Sequence, residues 1–150
     1  MLLSKAKTNV KITPEEFRYM ALFSDLTGTT VRDCIIENEG NRIIFLIDPS
    51  DIGKAIGPRG FFIQKLKSLL NKNIEVIGYS SNLEEQVKYA LMPARVTGVK
   101  LVNRPDGSKV VYVAVDPRDK AIAIGKNGRN VQRARLILKR HFNIDSVVIV

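Results

Sequence analysis

The sequence predicts an α+β fold built twice, with helices covering one face of a small mixed sheet in each copy. The first observation is an internal repeat. Residues 48–60, Asp-Pro-Ser-Asp-Ile-Gly-Lys-Ala-Ile-Gly-Pro-Arg-Gly, align with residues 116–128, Asp-Pro-Arg-Asp-Lys-Ala-Ile-Ala-Ile-Gly-Lys-Asn-Gly, at an offset of 68, and seven of the thirteen positions are identical. The second is that the helix and strand signals of each copy follow one order, α-β-β-α-α-β. The third is size: 150 residues, 45% hydrophobic and 26% charged, suffice for one ordinary domain or two small ones. The expected division is 1–80 and 81–150. Units of that length are marginal alone, so the two are expected to pack in tandem.

Each element has a local reason. Thr13-Pro14-Glu15-Glu16 reads as a capping box with proline at the first helical position. A helix follows from Pro14, with Phe17, Met20, Ala21 and Phe23 among its apolar residues, and stops at Gly28. Val31–Glu37 and Arg42–Ile47 are rich in β-branched residues and are joined by Asn38-Glu39-Gly40-Asn41, a hairpin signal. After the break at Pro49, a short helix over Asp51–Ile56 runs into Gly57-Pro58-Arg59-Gly60. A second helix covers Phe61–Leu70, and Ile74–Tyr79 is the closing strand. In the second copy Asn82 caps a helix to about Leu91, with Glu84 and Glu85 in the first turn where the helix dipole favours acids. Strands follow at Arg95–Val102 and Val110–Val115, joined across Pro105-Asp106-Gly107-Ser108. Then come a short helix from Arg118, the loop Gly125-Lys126-Asn127-Gly128, a long helix to His141 and a strand over Ser146–Val150. Asn73-Ile74-Glu75 matches Asn143-Ile144-Asp145 at an offset of 70, so the second long helix is two residues longer.

Composition removes several function classes. No run of 18 apolar residues is present, so a membrane-spanning helix is not expected, and Met1–Val10 is too polar for a secretory signal. One cysteine, Cys34, and one histidine, His141, exclude a disulfide framework and the usual Cys/His zinc site. The expected setting is reducing and cytoplasmic, with no metal and no cofactor. Cys34 lies in an apolar strand and reads as a buried small hydrophobe; His141 reads as a helix C-terminal residue rather than a general base. No nucleophile–base arrangement and no P-loop are visible, so neither an enzyme nor a small-molecule substrate is expected.

The formal net charge is +9. Residues 1–80 carry 11 Lys/Arg and 9 Asp/Glu, net +2, whereas 81–150 carry 13 and 6, net +7. Arg118–Arg140 holds eight cations against one acid, Asp119. Such a run is either a solvated helix face or a surface for a polyanion, and here it contains a glycine loop.

Ile56-Gly-Pro-Arg-Gly60 and Ile124-Gly-Lys-Asn-Gly128, each between two helices and each preceded by Asp-Pro-x-Asp, resemble the GXXG loops of KH domains in the type II, prokaryotic order. A single such tetrapeptide has little specificity; two in one repeated context have much more. The whole chain is similar to archaeal NusA-like transcription factors, through Thr13-Pro-Glu-Glu-Phe-Arg-Tyr-Met-Ala-Leu-Phe, Leu26-Thr-Gly-Thr-Thr-Val-Arg-Asp-Cys-Ile-Ile, Asn41-Arg-Ile-Ile-Phe and the two loop segments. The resemblance implies two type II KH domains that bind single-stranded RNA in transcription elongation or termination. Relative to the bacterial NusA arrangement, no polymerase-binding N-terminal domain or oligonucleotide-binding barrel is expected here. Single-stranded RNA is the expected partner, and contact with RNA polymerase stays open.

The physical reading of these loops is independent of the resemblance. Glycine lets backbone approach a phosphate, and a helix N-terminus directs amides and partial positive charge at the same point. The candidate RNA-binding residues are Lys54, Ile56, Gly57, Pro58, Arg59 and Gly60 in the first copy. In the second they are Ile124, Gly125, Lys126, Asn127, Gly128, Arg129 and Arg133. Opposite the loop, aliphatic side chains such as Ile124 and strand residues can floor a groove for unstacked bases, and the resemblance to KH domains implies a clamp on about four nucleotides of single strand. Pro58 lacks an N–H, and Phe61 stands where the second copy has Arg129. The first loop is therefore expected to bind more weakly, or to use Phe61 or Phe62 against bases, although a core position for both is the favoured expectation. Two other functions stay open: a ribosome-assembly or translation factor that binds RNA, and an adaptor whose KH folds pack only on protein.

Overall fold

The computed structural model describes residues 5–7 and 10–150. Two compact units emerge, each α-β-β-α-α-β with a three-stranded sheet. One comprises Lys11–Tyr79. The other comprises Ser80–Val150 together with the described residues of the first ten. Ala6 N donates to Ser81 O at 3.0 Å and Lys7 N to His141 O at 2.7 Å. These backbone bonds attach the amino-terminal residues to the second unit, whereas the sequence division at 80/81 groups them with the first.

In the first unit, helix α1 (Pro14–Thr27) starts at the expected capping box. Thr13 Oγ1 accepts from Glu16 N at 3.1 Å, and Glu16 Oε1 accepts from Thr13 N at 2.9 Å. The helix ends where Gly28 takes the left-handed conformation. Strands β1 (Val31–Glu37) and β2 (Arg42–Ile47) pair antiparallel, and β3 (Asn73–Gly78) lies parallel to β2. The core forms where α1, α2 (Ile52–Ile56) and α3 (Phe61–Leu70) meet the sheet, around Phe23, Cys34, Ile43, Phe45, Ile47, Ala55 and Leu66. Phe23 and Phe45 stack with ring centroids 4.3 Å apart. Burial stabilises the fold by roughly 1.5–3 kcal/mol for each large apolar side chain.

Arg42 is 1% exposed and ion-paired to Glu37 and Glu75, one acid on each neighbouring strand. A buried guanidinium needs such partners, so the trio fixes the register of all three strands.

The second unit repeats the plan with α4 (Leu83–Leu91), β4 (Val96–Asn103), β5 (Lys109–Val115), α5 (Lys120–Ile124), α6 (Arg129–Phe142) and β6 (Ser146–Ile149). β4 and β5 are antiparallel; β5 and β6 are parallel. α4 lies against α6, whereas α1 lies mainly along β1. No described helix is long and apolar enough to cross a membrane.

Candidate nucleic-acid interface

The Asp-Pro-x-Asp segments have a structural role. Asp48 caps a tight turn by accepting from Ser50 N at 3.0 Å, and Asp116 does the same for Arg118 N at 2.9 Å. These turns, Pro49–Asp51 and Pro117–Asp119, launch α2 and α5. Each short helix then stops at a glycine.

The two loops have nearly the same backbone. Gly57 and Gly125 sit at φ/ψ of 80/172° and 78/167°, and Gly60 and Gly128 at 73/23° and 74/16°. Between them, Arg59 and Asn127 are left-handed at φ 53° and 57°. In both, the last glycine's N–H donates to the first glycine's carbonyl at 3.1 Å. The first glycine is obligatory for a second reason. A Cβ on Gly125 would lie 2.8 Å from the backbone N of Asn130, and one on Gly57 would lie 2.7 Å from the Phe62 ring. Asn130 Nδ2 also donates to Ile122 O at 2.8 Å, tying the start of α6 back to α5.

This geometry changes the expected anion donors. Gly128 N–H closes on Gly125 O, and Arg129 N–H, the first amide of α6, closes on Lys126 O, so neither faces a ligand. The loop amides outside that closure belong to Lys126 and Asn127, both exposed. Pro58 removes the counterpart of the first, so the first loop keeps only that of Arg59.

The remaining candidates divide. Lys126, Asn127, Pro58 and Arg59 are exposed, while Ile56, Ile124 and Arg129 are half-buried at the loop edges. Lys54 Nζ lies 3.2 Å from Gly28 O, where it fastens α2 to the end of α1. Arg133 does not belong to the surface. It is 8% exposed, and its Nε and Nη2 donate to Ala90 O at 3.2 and 2.9 Å, capping the last turn of α4. Its place four residues into α6 turns it toward α4 rather than toward the loop. Phe61 departs from its expected core position, being 56% exposed. His141 is buried, and Asn143 is the left-handed residue that ends α6.

The cationic run is also less free than its sequence suggests. Arg118 pairs with Asp116, Lys139 Nζ pairs with Asp145 at 2.7 Å, and Arg135 Nε donates to Asp145 O at 3.3 Å. Arg95 grips Asp119 through Nε at 2.8 Å and Nη2 at 3.3 Å. The hydrogen bond from Arg95 holds the Asp119 carboxyl below the usual carboxylate value. Those from Arg118 and Lys139 do the same for Asp116 and Asp145. A depressed folded-state pKa contributes stability that is present above the unfolded value, here 3.8, and is lost as pH falls through the folded value. The melting temperature is therefore expected to fall as pH drops below about 4. An Asp119→Asn chain should be less stable than the parent at pH 7, and the gap should narrow in acid. A gap that stays constant between pH 7 and pH 3 would remove this linkage.

Comparison with known proteins identifies KH domains in the chain. A KH domain model matches residues 18–115, and a NusA-like second KH domain model matches residues 83–149. The chain is 32% identical over 138 residues to the "Probable transcription termination protein NusA" of Halococcus morrhuae, covering 92% of this chain and 96% of that one. It is 31% identical over 141 residues to the protein of the same name from Methanococcus vannielii, covering 94% and 80%. The crystal structure of APE1850 matches with a TM-score of 0.87 and 44% identity, over 93% of this chain and all of that one. Two KH folds, an archaeal relative spanned nearly end to end and a close structural match together show that the chain belongs to the archaeal NusA-like family of KH proteins.

Proposed function

We propose that the chain binds single-stranded RNA and acts in transcription termination on the emerging transcript, with the Gly125–Gly128 loop as its main phosphate seat. The observation that carries this reading is the recurrence of one strained loop conformation in both units, exposing Lys126 and Asn127 in the second and Arg59 in the first. Between the paired glycines, which take positive φ freely, Arg59 and Asn127 also hold the left-handed conformation, and non-glycine residues held there cluster at ligand clamps. The amides of Lys126 and Asn127 meet phosphate oxygens, the Lys126 ammonium adds formal charge, and Ile124 borders the site for an unstacked base. The names of the archaeal relatives support the placement in termination, and the lack of any P-loop or nucleophile–base pair in the sequence supports a binding role.

Binding of one single-stranded RNA against a blunt duplex, across a salt series, tests the reading. The single strand should bind tighter, because a narrow A-form major groove hides base edges. For roughly four to six phosphates neutralised, the log–log salt slope should be about −3 to −4. A flat salt series, or equal affinity for duplex, would defeat it.

A further inference from the structure

The outer face of α3 is open where its counterpart in the second unit is filled. Phe61, Gln64, Lys65, Ser68 and Leu69 share one face of α3, opposite the core-facing Ile63, Leu66 and Leu70. They line a shallow, open groove of ≈ 350 Å³, in which Phe61 and Leu69 are 56% and 57% exposed.

The internal repeat shows what this face accepts. At the offset of 68, Phe61, Lys65 and Leu69 correspond to Arg129, Arg133 and Ile137. In the second unit α4 packs on α6, Ile137 is 0% exposed, and Arg133 donates to the Ala90 carbonyl near the end of α4. In the first unit α1 lies mainly along β1, and among the described residues Lys65 and Leu69 stay exposed. We infer that this face docks an amphipathic helix of a partner protein. The partner helix would lay an apolar stripe between Phe61 and Leu69 and set a carbonyl of its last turn over Lys65, as Ala90 sits over Arg133. Lys65 puts positive charge in the groove, so the partner helix is acidic or neutral there rather than basic.

The probe is a peptide of residues 82–92, Asn-Leu-Glu-Glu-Gln-Val-Lys-Tyr-Ala-Leu-Met, held helical by a lactam between Glu84 and Lys88. Those two residues already form an i,i+4 ion pair at 3.5 Å. Titrated into the ¹⁵N-labelled full chain, the peptide should give saturable amide shifts confined to Phe61–Leu69. In a Phe61→Ser/Leu69→Ser chain, affinity should fall roughly tenfold or more. Both positions are exposed, so amide shifts elsewhere should stay at parent values and report an intact fold. Absence of shifts up to about 2 mM peptide would overturn the inference. So would shifts centred on 129–137, a concentration-dependent dimer lost on Leu69→Ser, or saturation of the same face by single-stranded RNA. The outcome does not depend on whether the glycine loops bind RNA, so the two readings can fail separately.

Discussion

Replacing Lys126 and Asn127 together by Asp should lower affinity for single-stranded RNA by roughly ten- to a hundredfold, about 1.4–2.8 kcal/mol. One cation disappears and two anions take its place beside the amides that would face the phosphate. The fold should survive. Both residues are exposed, and Asp tolerates the left-handed conformation that Asn127 holds at φ 57°. Changing Pro58 and Arg59 to Asp should cost less, because that loop already lacks the first amide donor and its following helix begins with Phe61 rather than Arg129. Filter binding or anisotropy with one RNA, and melting curves for each variant, check the ranking. A larger loss from the first-loop variant, with both proteins folded, would reverse it.

Gly125→Ala should be among the most damaging single-methyl additions in the second unit. The backbone there, φ 78° and ψ 167°, is a region that only glycine occupies readily, which alone costs about 1–3 kcal/mol. The new Cβ would also lie 2.8 Å from the backbone N of Asn130, an atom fixed in the first turn of α6. Gly128→Ala is the control. Its φ is 74°, but the nearest obstacle to a Cβ is Val131 Cγ1 at 3.8 Å, so only the left-handed penalty of about 1 kcal/mol remains. Chemical denaturation should therefore rank Gly125→Ala well below Gly128→Ala. Equal stabilities would mean that the loop relaxes away from the contact with Asn130.

The elements of the fold were legible because their signals are local. The capping box at Thr13, the hairpin between Glu37 and Arg42 and the glycine stops at Gly57 and Gly125 each lie within a few residues of what they determine. What stayed hidden was long-range pairing. Arg42 looks like any strand cation until Glu37 and Glu75 flank it, and Arg133 looks like a surface cation until α4 brings Ala90 O to it across 43 residues. The same holds for Arg95 and Asp119, joined over 24 residues. Charge counting along α6 therefore overstates the free positive surface, since Arg133, Arg135 and Lys139 are bound to protein acceptors. Phe61 misled in the other direction. It is an aromatic at a helix start, yet it faces outward because Phe62 is the residue that packs over Gly57.

The claim that the second glycine loop seats a phosphate is tested most directly by titrating ¹⁵N-labelled full-length chain with a single-stranded RNA. The largest amide shifts should fall on Lys126 and Asn127, whose N–H groups lie outside the turn closure, and the counterpart at Arg59 should move less. Shifts concentrated on Arg135–Arg140, with Gly125–Gly128 unmoved at saturation, would contradict the account and make the loops structural turns.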